Sequence, residues 1–438
     1  MPLRDLALFA IMGVLLPMAL VHPYIGALLW VGFGLMNPHR LCFGPAYNFP
    51  FALVIAVVTL LGTLLTRDHR QIKGGAPGVV LVVMAVWMSL TTVTALTPID
   101  AVAMWSRVMK IFFMTFVLMY LLHTKRHVDL LITIIVVSIG FYGVKGGIFT
   151  ILEGGEARIW GPPDSVVMSN NALGIANVMI IPLFTHFYQQ TRSRALRLFL
   201  VACILLCAAA TLGSYSRGAL LSLLAMVAVL WARSSYKTIT FIVMLVIGVV
   251  LIPFMPERWT ERMHTIQTYE EEGSAMARIY AWHAAWNIAT DRFLGGGFEY
   301  PSREVMAKYS PGPYISVAHS IYFQALGEHG FVGLGLFLTF WVLVWRQCSK
   351  VRARARDRPE LKWAYSLMSM IQASLVGYAV GGAFLNLAFW DMPYYLYAAI
   401  MVTRHVVDAT PVATEPVPEP EIKAPAREEA FARERTAV

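Results

Sequence analysis

The chain has 438 residues, 58% of them hydrophobic and only 14% charged, where an ordinary soluble domain carries roughly 25% charged residues. A water-soluble enzyme of this size is excluded. The net charge of +9 would suit nucleic acid only if the basic residues shared one folded face; instead they sit in short loops between apolar blocks, so the charge reports topology and no nucleic-acid partner.

Apolar blocks of about the ~20 residues that a helix needs to cross a bilayer recur along the chain. They lie near 6–36, 49–66, 78–97, 103–122, 129–152, 166–188, 197–213, 218–232, 236–254, 319–345, 364–387 and 390–405, which predicts an all-α polytopic membrane protein with about twelve transmembrane helices. Pro17, His22 and Pro23 interrupt the first block, which reads as two short helices or one broken span. Basic residues collect on one set of alternate loops: Arg67, Arg70 and Lys73; Lys125 and Arg126; Arg192, Arg194 and Arg197; Arg233 and Lys237; and the run from Arg346 to Lys362. Opposite them stand Arg40, Arg158 and Arg217. Cytoplasmic loops concentrate Lys and Arg, so the 37–48 loop is expected outside, after one kinked crossing from a cytoplasmic N-terminus. Arg4 before an apolar run also resembles a secretory signal, but cleavage near residue 21 would reverse that parity. The resulting organisation is a bundle over 1–254 with nine spans, a large outer loop at 255–318 with short helices, a bundle over 319–408 with three spans, and a Pro/Glu/Ala-rich disordered cytoplasmic tail at 409–438.

Four cysteines, Cys42, Cys203, Cys207 and Cys348, are too few and too scattered for a disulfide framework or a redox centre. The 255–318 loop is therefore the first place to look for chemistry. Within it, AMARIYAWHAAWNIA at 275–289 reads as a helix with Ser274 as a candidate cap. Arg278, Trp282 and Trp286 recur every four residues and share a face, either as an interfacial belt or as a binding surface. Gly295, Gly296 and Gly297 then form a turn that either ends the helix or lets a ligand approach the backbone.

Three ionisable residues stand at outer ends. Arg217 follows Ser214-Tyr215-Ser216 between two uncharged flanks, Arg278 heads the loop helix, and His319 lies where the loop meets the next span, in AHSIYFQALGEHG. Each alone reads equally as an interfacial anchor. Together they supply two bidentate phosphate binders and one group that exchanges a proton near neutral pH, which suits a lipid-linked diphosphate. Lys145, Glu328 and Asp391 are charges at or near membrane depth, functional or internally paired. Glu328 lies about 13 Å beyond His319 along a helix, too far for a dyad, whereas Asp391 is better placed to meet His319 or a substrate. Asp164 and the pair Asn170-Asn171 follow an outer turn and read as sugar contacts or as helix caps. Tyr215, Trp282 and Tyr322, beside these groups in sequence, complete the candidate contacts.

SYSRGAL, the RIYAWHAAW helix, the glycine turn and AHSIYFQALGEHGFVGLGL, in this order and topology, resemble the O-antigen ligase/polymerase superfamily, and most closely O-antigen ligases and exosortase-associated O-glycosylation ligases. The likeness is strongest over 205–340. It implies a GT-C-like glycosyltransferase architecture in the bacterial inner membrane, with the active site facing the periplasm. It further implies transfer of a glycan from undecaprenyl diphosphate to an acceptor such as the lipid A–core oligosaccharide, among membrane lipids. The family arginines that hold the diphosphate map onto Arg217 and Arg278, and the essential histidine onto His319. Ser320 and Phe293 depart from the family pattern, which often has Asn after the histidine and Pro before the glycines.

A diphosphate is already a good leaving group, so it needs charge stabilisation more than protonation. Two arginines supply that without a metal, and no Asp/Glu cluster of the Mg²⁺-binding kind stands out; no cofactor is implied. Neutral His319 would take the acceptor proton, and a single displacement would invert the anomeric centre. An O-antigen polymerase or a protein O-oligosaccharyltransferase would share the donor. A secondary transporter would instead place polar sites at the bilayer midplane.

Overall fold

The first helix, α1 (Leu3–Val21), ends at His22, whose backbone is non-helical (φ −123°, ψ 83°) because Pro23 follows and opens the second, α2 (Pro23–Met36); a residue before proline is pushed out of the helical region. Pro17 is accommodated inside α1. The two helices fold back on one another. Arg4 Nη1 donates to the Leu41 carbonyl at 3.1 Å, and Asp5, fully buried, accepts from the backbone of Ala46 at 2.9 Å and of Phe43 at 3.4 Å. The chain's start therefore lies beside the 37–48 loop. This corrects the expectation of one kinked crossing: the first block is an antiparallel hairpin of two helices.

The computed structural model describes residues 1–66, 74–234, 236–251, 255–264 and 273–411. Arg67, Arg70 and Lys73, and the tail from 412 onward, lie outside these residues. After α3 (Phe51–Leu65), α4 (Gly75–Val93), α5 (Pro98–Leu121) and α6 (Lys125–Leu152) come α7 (Asn170–Gln190), α8 (Arg194–Gly213), α9 (Arg217–Arg233) and α10 (Lys237–Leu251). The 255–318 segment contains α11 (Glu257–His264), α12 (Gly273–Asp291) and α13 (Arg303–Tyr309), and the chain closes with α14 (Ile321–Ala355), α15 (Lys362–Gly382) and α16 (Asp391–Ala409). Ser274 lies inside α12, not at its cap.

Among the described residues seven helices, α1, α4, α5, α6, α7, α8 and α14, are long and apolar enough to cross a membrane, and α2 and α3 are shorter apolar helices. The protein is an all-α polytopic membrane protein. Helix α15 packs against α7, α9 and α14, and α6 against α8. Small residues permit such close approach in lipid, where no hydrophobic force drives helices together. At Gly147 of α6 a Cβ would lie 2.1 Å from the Leu206 carbonyl of α8. Helix α14 runs to Ala355, so Arg346, Lys350, Arg352 and Arg354 form its last turns, and Cys348 is buried there instead of sitting in a loop.

The hairpin loop at 37–48, the turns at 94–97, 153–169 and 214–216, the described residues of 255–320 and the 383–390 turn share one end of the bundle, called here the cap end. Leu96 N donates to Gly296 O, Ile159 N to Gly213 O and Ser320 N to Asn386 Oδ1. Single cysteines at Leu3 and Glu304 are accordingly expected to react with an impermeant thiol reagent from the same side, and one at Arg126 from the other. Labelling of Leu3→Cys and Glu304→Cys from opposite faces would break the hairpin assignment.

Candidate functional site

The turn between α8 and α9 is fixed from several sides. Ser216 caps α9 by accepting from Ala219 N at 3.2 Å, Ser214 Oγ donates to Thr211 O at 2.6 Å, and Asn170 Nδ2 donates to Ser214 O at 2.7 Å. From α11, Trp259 Nε1 donates to Leu212 O at 3.0 Å. Tyr215 adopts a left-handed backbone (φ 57°) and donates its hydroxyl to Gly155 O at 2.6 Å, under the Arg158 guanidinium 5.4 Å from its ring centre. Burial pushes this phenol above its ordinary range. Non-glycine residues in that conformation cost about 1–3 kcal/mol and persist where surroundings over-determine them. The consequence is a rigid seat for Arg217, at the positive N-terminal end of α9.

Arg278 comes from α12, far away in sequence, and lines the same pocket. That pocket is a small half-open cleft walled by Asn171, Tyr215, Ser216, Arg217, Gly218, Arg278, Phe384 and Leu385. Two guanidiniums lining a half-open cleft at a helix N-terminus are an arrangement that can hold an anion.

His319 sits at the junction of the 255–320 segment with α14, half-buried, also with a left-handed backbone (φ 44°). Its neighbours hold it there: Trp282 Nε1 donates to Ala318 O at 2.7 Å, and Ser320 N donates to Asn386 Oδ1 at 3.3 Å. Burial, and after it the positive charge of Arg278, keep the imidazole below its usual pKa of 6.5. His319 is thus neutral at neutral pH, with an arginine of the anion pocket close enough to act on it.

The remaining sequence candidates are held in other contacts. Asn170 is bound to Ser214, while its neighbour Asn171 faces the pocket. Trp282 stacks on Phe323 with ring centres 5.1 Å apart, besides its bond to Ala318. Tyr322 donates to Ala379 O at 3.0 Å. Asp164 accepts from Tyr47 at 3.1 Å and pairs with Arg40 at 3.4 Å, tying the 37–48 loop to the 153–169 turn. Asp391 accepts from Tyr395 at 3.5 Å and lies against Gly34 of α2, outside the pocket lining, so the expected meeting with His319 is corrected. Lys145 is exposed on α6.

The glycine turn serves packing. Gly330, at φ 68°, breaks α14, and the freed carbonyls of Gly327 and Glu328 accept from Gly296 N and Gly297 N, both at 2.8 Å. A Cβ on Gly295, itself at φ 72°, would stand 2.5 Å from Gly330 N. Only glycines let the turn that follows α12 seat on the broken helix.

Comparison with known families falls on this same region. Residues 202–338, from α8 through the first half of α14, match the family model described as O-Antigen ligase. Residues 3–192 match a model described as a family of unknown function. No curated protein matches the chain. The matched segment carries Arg217, Arg278 and His319, so this part of the chain is similar to O-antigen ligases.

Proposed function

We propose that the protein is an O-antigen ligase of the bacterial inner membrane, which transfers a glycan from undecaprenyl diphosphate to the lipid A–core oligosaccharide at the periplasmic face. The observation that carries this reading is the convergence of Arg217 and Arg278 in one pocket, with the neutral His319 under the charge of Arg278. The two guanidiniums bind the diphosphate and take up the charge that builds on it as the glycosidic bond to phosphate breaks. His319 removes the proton from the acceptor hydroxyl as that oxygen attacks the anomeric carbon from the opposite face. One displacement inverts the configuration. The lipid tail of the donor runs along the apolar helices. Lys125, Arg126, Arg192, Arg194, Arg197 and the basic end of α14 lie at the end of the bundle away from the cap, which supports a periplasmic cap end.

Purified protein in lipid nanodiscs, given undecaprenyl-diphosphate glycan and lipid A–core, is expected to form the inverted linkage. A second lipid-linked glycan serving as the better acceptor would make the enzyme a polymerase, and a peptide hydroxyl a protein glycosylation enzyme. Because the arginines supply the charge, chelation by EDTA is expected to leave the rate unchanged. Loss of transfer on chelation, restored by Mg²⁺ or Mn²⁺, would refute the metal-independent mechanism.

A further inference from the structure

Behind the pocket, at the break in α14, lies a buried polar chain that the transfer chemistry does not use. Glu328 is 3% exposed and His329 fully buried. Charged or polar side chains at such depth are costly and rarely without purpose. His329 Nδ1 is 2.7 Å from the Thr91 hydroxyl of α4, and that hydroxyl donates its own proton to Met88 O at 3.0 Å. With the Thr91 proton on Met88 O, the hydroxyl accepts from the imidazole Nδ1–H, so both bonds are made at once and Nε2 is left as an acceptor. Nε2 stands 3.8 Å from Glu328 Oε2, and neither atom has a hydrogen-bond partner among the described residues. An ionised carboxylate would set its oxygen against the imidazole lone pair. A carboxylic acid would turn its O–H toward it.

The other carboxyl oxygen leads to the pocket. Glu328 Oε1 accepts from Gln324 Nε2 at 3.4 Å, which directs the Gln324 carbonyl oxygen to Ala388 N, 3.2 Å away. Ala388 belongs to the 383–390 turn. That turn supplies Phe384 and Leu385 to the wall of the arginine pocket, and its Asn386 holds Ser320 N, next to His319.

We propose that Glu328 is a positioning residue, held as a neutral acid against His329, which orients Gln324 and through it fixes the 383–390 turn at the pocket wall and beside His319. The proposal rests on the ligase reading of that pocket. It differs from a catalytic role, since Glu328 meets no substrate.

The test uses the full-length protein in nanodiscs, with initial rates measured against donor concentration and normalised to the folded fraction. Glu328→Gln reproduces the pattern, its oxygen accepting from Gln324 and its amide donating to His329 Nε2, and is expected to keep kcat and donor KM within about twofold of wild type, within the scatter of a conserved hydrogen-bond pattern. Glu328→Leu is expected to lower kcat at least about tenfold per folded molecule, as small misplacements of reacting groups do. Gln324→Leu should show the same loss, and the double variant no more than either, because the residues act in series. A purely structural role would lower the melting temperature without changing kcat per folded molecule. The proposal is overturned if Glu328→Gln is as slow as Glu328→Leu, or if Glu328→Leu turns over at the wild-type rate. Should Glu328→Leu not fold, Gln324→Leu decides in its place by the same criterion. Arg217→Gln is run alongside: wild-type transfer by that variant would sink the pocket reading itself, whatever Glu328 does.

Discussion

His319→Asn is expected to leave a folded protein that still binds undecaprenyl-diphosphate glycan but transfers it at least about a hundredfold more slowly, since a positioned base contributes typically 10²–10⁴ in rate. Asparagine is the right replacement because His319 has φ 44°, and Asn tolerates the left-handed region where Ala or a β-branched residue would add strain. The variant thus removes the base and keeps the backbone. The pH dependence carries a second expectation. Burial and the Arg278 charge hold the imidazole below 6.5, so the base is deprotonated above its lowered pKa and lost as pH falls through it. In the wild type, kcat/KM should be flat at neutral pH and fall on an acid limb that lies below 6.5, and in His319→Asn that limb should vanish. A folded His319→Asn enzyme with near-normal turnover would remove His319 from the mechanism. Equal loss of donor affinity and rate would recast it as a phosphate ligand beside the arginines.

The parts of this molecule that could be read from its residues are those that physics makes locally obvious. The low charge content and the apolar blocks dictate membrane helices, and Arg217, Arg278 and His319 stood out as polar groups where the flanking residues are apolar. The first block misled because parity, counted on basic loops, weighs a proline break too lightly: His22-Pro23 reverses the chain, and Asp5 pins its start to the 37–48 loop. The pocket's other wall had no signal at all. Phe384, Leu385 and Asn386 fall inside the 364–387 span that the sequence predicts, at its outer end, whereas the structure ends α15 at Gly382 and turns the chain there. Tyr215, Trp282, Tyr322, Asp164 and Asn170 read from the sequence as polar or aromatic groups near an interface. Each proves to bind a backbone carbonyl or a neighbouring loop, and such bonds join residues too distant in sequence for any spacing to reveal. Tyr215 also lines the pocket, and so does Asn171, since the same pair of asparagines caps the turn with one amide and faces the pocket with the other.

Replacing Arg217 or Arg278 by Gln should lower transfer by about 10²–10³, the usual consequence of removing one preorganised donor from a developing charge. Lys at either position is expected to recover only part of this, since it restores a charge but not the planar fork that grips two phosphate oxygens at once. The two positions should then separate by pH. Arg278 is the charged side chain that depresses His319, after burial, and Arg217 makes no such contribution. Taking away the Arg278 charge lets the imidazole rise toward 6.5, so the acid limb of the residual Arg278→Gln activity should move to higher pH. In Arg217→Gln it should stay at the wild-type position. Arg278→Lys keeps a positive charge near the ring and should hold the limb close to wild type while transfer remains impaired, which separates field from geometry at a single site. If both Lys variants transfer at the wild-type rate with unchanged donor affinity, these arginines are interfacial anchors and the diphosphate binds elsewhere. If instead transfer falls in all variants but the limb never moves, Arg278 binds the donor without governing the base, and the coupling between leaving-group stabilisation and proton removal that the pocket's geometry suggests is absent.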